Sequence, residues 1–115
     1  PSAKTIAIAK RGVRNVLMHF GILAGSVDIQ PSVFLDMPDM DCYTFSQNEG
    51  LIEPVKDLGD EVKRGDVVAR IWSTERTGIT PVDYYAGCDG ILVSRHFPGL
   101  VQPGDCIAVV GTVAV

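Results

Sequence analysis

The chain has 115 residues, 46% of them hydrophobic and 21% charged, with a formal charge of −4. That length suits one ordinary domain with its own core. The composition excludes a disordered chain and a collagen-like repeat, and no apolar run approaches the roughly 18 residues of a membrane span. Residues 1–27 carry Lys4, Lys10, Arg11 and Arg14 and no acid, whereas the rest carries six bases against fourteen acids. Such an acidic body argues against a nucleic-acid partner, because phosphate contacts need a basic face. No charged start precedes a long apolar stretch, so no secretory signal is read. The first residue is Pro1 rather than methionine, and the expectation is a piece of a longer protein.

Residues 2–20 predict one helix. Ser2 is placed as its N-cap and Gly21 as the left-handed residue that stops it. Ile6, Ala9, Val13, Val16, Leu17 and Phe20 recur at helical spacing on one face. Gly12, which costs up to about 1 kcal/mol inside a helix, is read as a point of close packing. Beyond Gly25 the pattern changes to short strands, predicted at 32–35, 41–45, 50–54, 67–72, 84–86, 91–96 and 106–110. Pro-Asp, Gly-Asp and Pro-Gly turns punctuate them.

The strongest internal signal is a repeat. Residues 50–71 align with 90–110 through one gap opposite Asp60. The alignment leaves six identical pairs: Gly50/Gly90, Gly59/Gly99, Val62/Val101, Gly65/Gly104, Asp66/Asp105 and Ala69/Ala108. Each unit reads as strand, turn, short strand, Gly-Asp turn, strand. Neither buries a sheet face alone, so the two are expected to pair about a pseudo-twofold axis and share a core. Asp66 and Asp105 are read as turn residues that accept backbone N–H groups.

Three cysteines, Cys42, Cys88 and Cys106, are odd in number and widely spaced, which favours reduced thiols near a core over a disulfide framework or a zinc knuckle. That usage fits a cytoplasmic protein. His19 is read as a surface residue at a helix C-terminus. Asp36, Asp39 and Asp41 form a polar turn, since the glycine and glutamate of a calcium loop are missing. Glu75 and Arg76 are read as solvated loop. For Arg95 and His96 the alternatives are a solvated hairpin tip at 95–99 or a loop leaning over an active site, where Arg95 would take a substrate carboxylate. For Tyr84 and Tyr85, strand alternation predicts one buried and one exposed.

The doubled G…G-D pattern resembles the barrel-sandwich hybrid of biotinyl and lipoyl carrier domains. The resemblance implies a mainly β domain built from two quasi-repeated units, here preceded by one N-terminal α-helix. The carrier function does not follow: the joining segment 72–89 has no lysine to accept biotin or lipoate, and the last lysine is Lys63. The same hybrid closes a hydrolase family. Gly12, Val13, Asn15, Val16, Leu17, Phe20, Gly21 and Ile22 match the last catalytic-domain helix of the aspartoacylase and succinylglutamate desuccinylase family, which resembles zinc carboxypeptidases. Residues 37–71 resemble the C-terminal region of its bacterial members, nearest the N-acetyl-diaminobutyrate deacetylase branch.

What the resemblance implies is the following. Residues 1–25 are the terminal helix of an upstream catalytic domain, and 26–115 form a C-terminal β accessory domain. The parent enzyme hydrolyses the amide of a small N-acyl amino acid with a zinc-activated water, has neither nucleic acid nor membrane as partner, and forms a homo-oligomer. The zinc is expected outside this chain. The family's His-x-x-Glu pair is missing, since His19 and His96 are followed by Phe-Gly-Ile and Phe-Pro-Gly. No catalytic or metal-ligating residue is assigned here. Tyr84, Tyr85, Arg95 and His96 are the candidate substrate-binding residues. The alternative is a non-catalytic adaptor module. The two readings differ at the helix, whose apolar stripe stays bare if it belongs to a larger domain and packs on the β-domain if the module is autonomous.

Overall fold

The computed structural model describes residues 2–97 and 99–114, so Pro1 and Pro98, both named above, lie outside the described residues. The chain forms two compact units, Pro1–Ser32 and Val33–Val115.

The first unit is built on helix α1, Ala3–His19. Ser2 caps it as expected: its hydroxyl accepts from the Thr5 N–H at 3.2 Å, and Thr5 Oγ1 accepts from the Ser2 N–H at 2.9 Å. Threonine thus takes the place glutamate usually fills in a capping box. At the other end Gly21 is left-handed with φ 69°. Its N–H donates to Met18 O at 3.0 Å and the Ile22 N–H donates to Leu17 O at 2.9 Å, which satisfies carbonyls the helix leaves free. The following chain returns to the helix through Asn15, whose side chain donates to Asp28 O (2.7 Å) and accepts from the Asp28 N–H (2.9 Å). No residue of α1 is buried, and Ile6, Val13, Val16 and Phe20 of its apolar stripe are exposed. Gly12 was expected to mark close packing; a Cβ there would meet nothing within 4 Å.

The second unit is mainly β. Its strands are β1 (Leu35–Asp36), β2 (Tyr43–Phe45), β3 (Gly50–Pro54), β4 (Glu61–Val62), β5 (Val67–Trp72), β6 (Val82–Tyr85), β7 (Gly90–Arg95), β8 (Leu100–Val101) and β9 (Cys106–Val113). They form two antiparallel sheets. One runs β6-β5-β3-β8; the other runs β1-β9-β7-β4, with β2 also on β9. The expected repeat organises both. Hairpin β3/β5 of the first repeat receives β8 from the second, in register Gly50 with Val101. Hairpin β7/β9 of the second receives β4 from the first, in register Val62 with Gly90. Each repeat therefore completes the other's sheet.

The equivalence extends further upstream than the aligned sequence. β2 lies on β9 with Thr44 opposite Ala108, and β6 lies on β5 with Tyr84 opposite Ala69. The Ser46 N–H donates to Asp105 O and the Ala86 N–H to Asp66 O, both at 2.8 Å. Both ladders slip once, at Thr44/Phe45 and at Val67/Ala69. Such bulges let two consecutive residues face inward, and Val68–Ala69 and Ile107–Ala108 are all buried.

The core follows the same symmetry in two clusters. One joins Val62, Val68, Ala86, Leu92, Ala108 and Val110; the other joins Ala69, Ile71, Tyr84, Val101 and Ile107, with Ile52 packed against it. Asp66 Oδ2 accepts from the Lys63 N–H at 3.1 Å and Asp105 Oδ2 from the Gln102 N–H at 2.8 Å. Both are the turn residues the sequence indicates. Gly65 and Gly104 before them have φ 90° and 96°.

Several strand boundaries differ from expectation. The strand at 32–35 reduces to Leu35–Asp36, which pairs with Val113 and Thr112 at the end of β9, beyond the stretch 106–109 that β2 covers. Residues 40–42 form a 3-10 turn, capped by the Asp39 side chain, before β2 begins.

Candidate functional site

The four candidate substrate-binding residues lie in different sheets. Tyr84 and Tyr85 are on β6 of one; Arg95 ends β7 of the other, and His96 follows it. No hydrogen bond or ion pair among the described residues joins the two pairs.

Alternation divides the tyrosines as expected: Tyr84 is 8% exposed and Tyr85 53%. The Tyr84 hydroxyl donates to Asn48 Oδ1 at 2.7 Å and accepts from the Gln47 N–H at 2.9 Å. It therefore holds the loop between β2 and β3. Tyr84→Phe is expected to cost about 1–2 kcal/mol of stability, since it leaves both loop groups without this partner. Urea unfolding monitored by fluorescence measures the loss. Tyr85 presents its ring to solvent. Arg95 Nη1 donates to Asp57 Oδ1 at 2.8 Å, which turns the guanidinium toward the β3–β4 loop. His96 Nε2 lies 3.1 Å from Leu100 O, and the His96 N–H donates to Ile107 O. Phe97 beside them is 89% exposed.

The remaining polar candidates are committed to structure. Asp36 and Asp39 accept backbone N–H groups from Met37 and Asp41. Asp41 pairs with Arg64 at 2.6 Å, a contact that raises the pKa of the guanidinium. A cleft of about 410 Å³ beside β4 is lined by Glu61, Lys63, Asp66, Asp89 and the apolar Val62, Ile91 and Val113. Of its carboxylates, Asp66 serves its own turn, and Asp89 accepts from the Arg64 N–H at 2.8 Å. Among the described residues no group of three or more His, Cys, Asp or Glu side chains is placed to hold a metal ion. The donor set of a three-ligand hydrolytic zinc centre does not fit this chain. Among the described residues no helix is long and apolar enough to cross a membrane.

Two features escaped the sequence reading. Asp57, the partner of Arg95, sits in what reads as a plain turn. Cys42 and Cys88, forty-six positions apart, have sulfurs only 3.8 Å from each other. Nothing in their spacing signals this. Only the fold brings them together: Cys42 directly precedes β2 and Cys88 lies in the loop after β6.

No protein-family model matches the chain. It is 43% identical over 112 residues to the N-alpha-acetyl-L-2,4-diaminobutyric acid deacetylase of Halomonas elongata, which covers 96% of this chain and 33% of that protein. Among solved structures, the product-bound ectoine utilization protein EutE (DoeB) of Ruegeria pomeroyi superposes with a TM-score of 0.88 at 53% identity, covering 96% of this chain and 34% of that one. A succinylglutamate desuccinylase from a Silicibacter species superposes with a TM-score of 0.86 at 58% identity, covering 99% of this chain and 35% of that one. The chain thus spans about a third of the length of the relatives it matches.

Proposed function

The chain is homologous to deacylases of the succinylglutamate desuccinylase/aspartoacylase group over about a third of their length, and on that premise we propose that it is the C-terminal part of an enzyme that hydrolyses the amide of small N-acyl amino acids. In this reading residues 1–25 close an upstream catalytic domain and residues 26–115 are its β accessory domain. The observation that carries it is identity of 43–58% sustained over nearly the whole chain but only a third of each relative.

The catalytic zinc that the resemblance implies belongs to residues outside this chain, whose own donors do not fit it. The role left to the β unit is to wall the substrate site. Arg95 offers a fork for a substrate carboxylate, with His96 and the exposed ring of Tyr85 as further contacts. Tyr84 positions the loop at residues 47–48 rather than touching substrate. The whole protein is soluble, cytoplasmic and a homo-oligomer.

Steady-state hydrolysis of N-acetyl-diaminobutyrate and related N-acyl amino acids tests this. The whole protein is expected to turn them over, and the 115-residue chain alone to show no rate above background. In the whole protein Arg95→Ala is expected to raise KM by about tenfold with a smaller change in kcat, the pattern of a lost ground-state contact. Metal-dependent turnover by the isolated chain overturns the fragment reading. Unchanged kinetics in Arg95→Ala removes Arg95 from the site.

A further inference from the structure

Cys42 and Cys88 are free thiols with sulfurs 3.8 Å apart. Cys42 is 1% exposed at the end of the 3-10 turn Met40–Cys42, and Cys88 is half-buried in the loop between β6 and β7. A second observation shows how closely these two segments run. A Cβ placed on Gly87 would lie 2.4 Å from the carbonyl oxygen of Asp41, so only glycine permits the approach. The backbones of Asp41 and Gly87, the residues that precede the two cysteines, therefore run close together. Bringing the sulfurs to the bonding distance of about 2.0 Å then needs side-chain rotation with little main-chain movement. The third cysteine takes no part: Cys106 Sγ points at Ala108 O, 3.7 Å away.

We infer that Cys42 and Cys88 are the site of a reversible intramolecular disulfide, formed with a small peroxide as oxidant. The half-buried Cys88 thiolate attacks one peroxide oxygen, the O–O bond breaks, and Cys88 becomes a sulfenic acid with release of water. The Cys42 sulfur then attacks the Cys88 sulfur, the S–O bond breaks, and a second water leaves with the Cys42 proton. In sum two thiols and one hydrogen peroxide give one disulfide and two waters. The bond ties the turn ahead of β2 to the loop after β6, the two strands that lead into equivalent repeats.

Closure is slow at neutral pH. Burial, then the hydrogen bond to Cys42, push the Cys88 thiol up to about 11. The charged groups around it are Asp39, which also raises it, and Arg64, which lowers it; Asp41 and Asp89 are both bonded to Arg64. Below that value the thiolate fraction grows about tenfold per pH unit, and the closure rate is expected to follow it between pH 7 and 9.

The test treats the fully reduced chain with stoichiometric hydrogen peroxide, then alkylates it under denaturing conditions and maps the peptides by mass. The expected product has lost two hydrogens, joins the peptides of Cys42 and Cys88, and returns to free thiols with dithiothreitol. Its unfolding midpoint is expected to rise by about 5–10 °C, since the bond closes a loop of about 46 residues. Cys106→Ser forms the same product; Cys88→Ser, at the half-buried and more tolerant position, does not. A product carrying added oxygen at Cys88 with Cys42 still alkylatable overturns the inference. So does a bond through Cys106 or between two chains, or a rate that does not rise with pH.

Discussion

Gly90→Ala is expected to destabilise the β unit by about 3 kcal/mol, and Gly50→Ala by a similar amount. A Cβ on Gly90 would sit 2.3 Å from the carbonyl oxygen of Gly111 and 2.9 Å from Val110 Cγ1. On Gly50 it would sit 2.2 Å from Trp72 O and 2.8 Å from Ile71 Cγ2. In both cases the obstacle is the backbone of the partner strand, which cannot rotate aside as a flexible side chain would. The two strands must separate, and β3/β5 and β7/β9 are the hairpins on which each sheet is built. The identical pair in the repeat therefore has one cause at both positions. Urea unfolding of the two single variants measures the loss, and a cost below about 1 kcal/mol at either position contradicts the proposed close approach.

Leu92→Ala is expected to cost about 3 kcal/mol, and Ile52→Ala about half of that. The two residues occupy equivalent places in the repeat but not equivalent surroundings. Leu92 is 1% exposed inside its cluster, whereas Ile52 is only half-buried at the margin of the other. Truncating Leu92 leaves a cavity whose walls are the fully buried Val110 and its neighbours; at Ile52 the gap opens partly to solvent. Equal losses in the two variants contradict this asymmetry.

Much of the architecture is legible in the chain because the responsible interactions are local. Ser2 and Gly21 delimit α1 through their own caps. β3 and β5 have the boundaries their apolar runs indicate, and Asp66 and Asp105 close their turns within three residues. The repeat announces a shared core because the same residues must solve the same close approach twice. The upstream equivalence of β2 and β6 is hidden, since a strand that lies on a sheet edge is held by backbone bonds and tolerates unrelated side chains: Thr44 and Tyr84 face matching alanines without resembling each other. The candidate site is less legible still. Residue chemistry and the family resemblance single out Tyr84, Tyr85, Arg95 and His96 as candidates. They carry no information on which hydroxyl is already engaged by Asn48 or which guanidinium by Asp57.

The sequence by itself determined the helix and its ends, the two β units, their turns, and the absence of a lysine that a carrier domain needs. Each of these rests on residues within a few positions of one another, or on a type of residue being present at all. Only the tertiary structure decided which repeat lends its short strand to which hairpin, that Gly87 lies on the backbone of Asp41, and that Cys42 and Cys88 meet. These depend on segments brought together across about thirty to fifty positions by the fold, which is specified by buried shape and backbone hydrogen bonds that no single stretch of sequence contains.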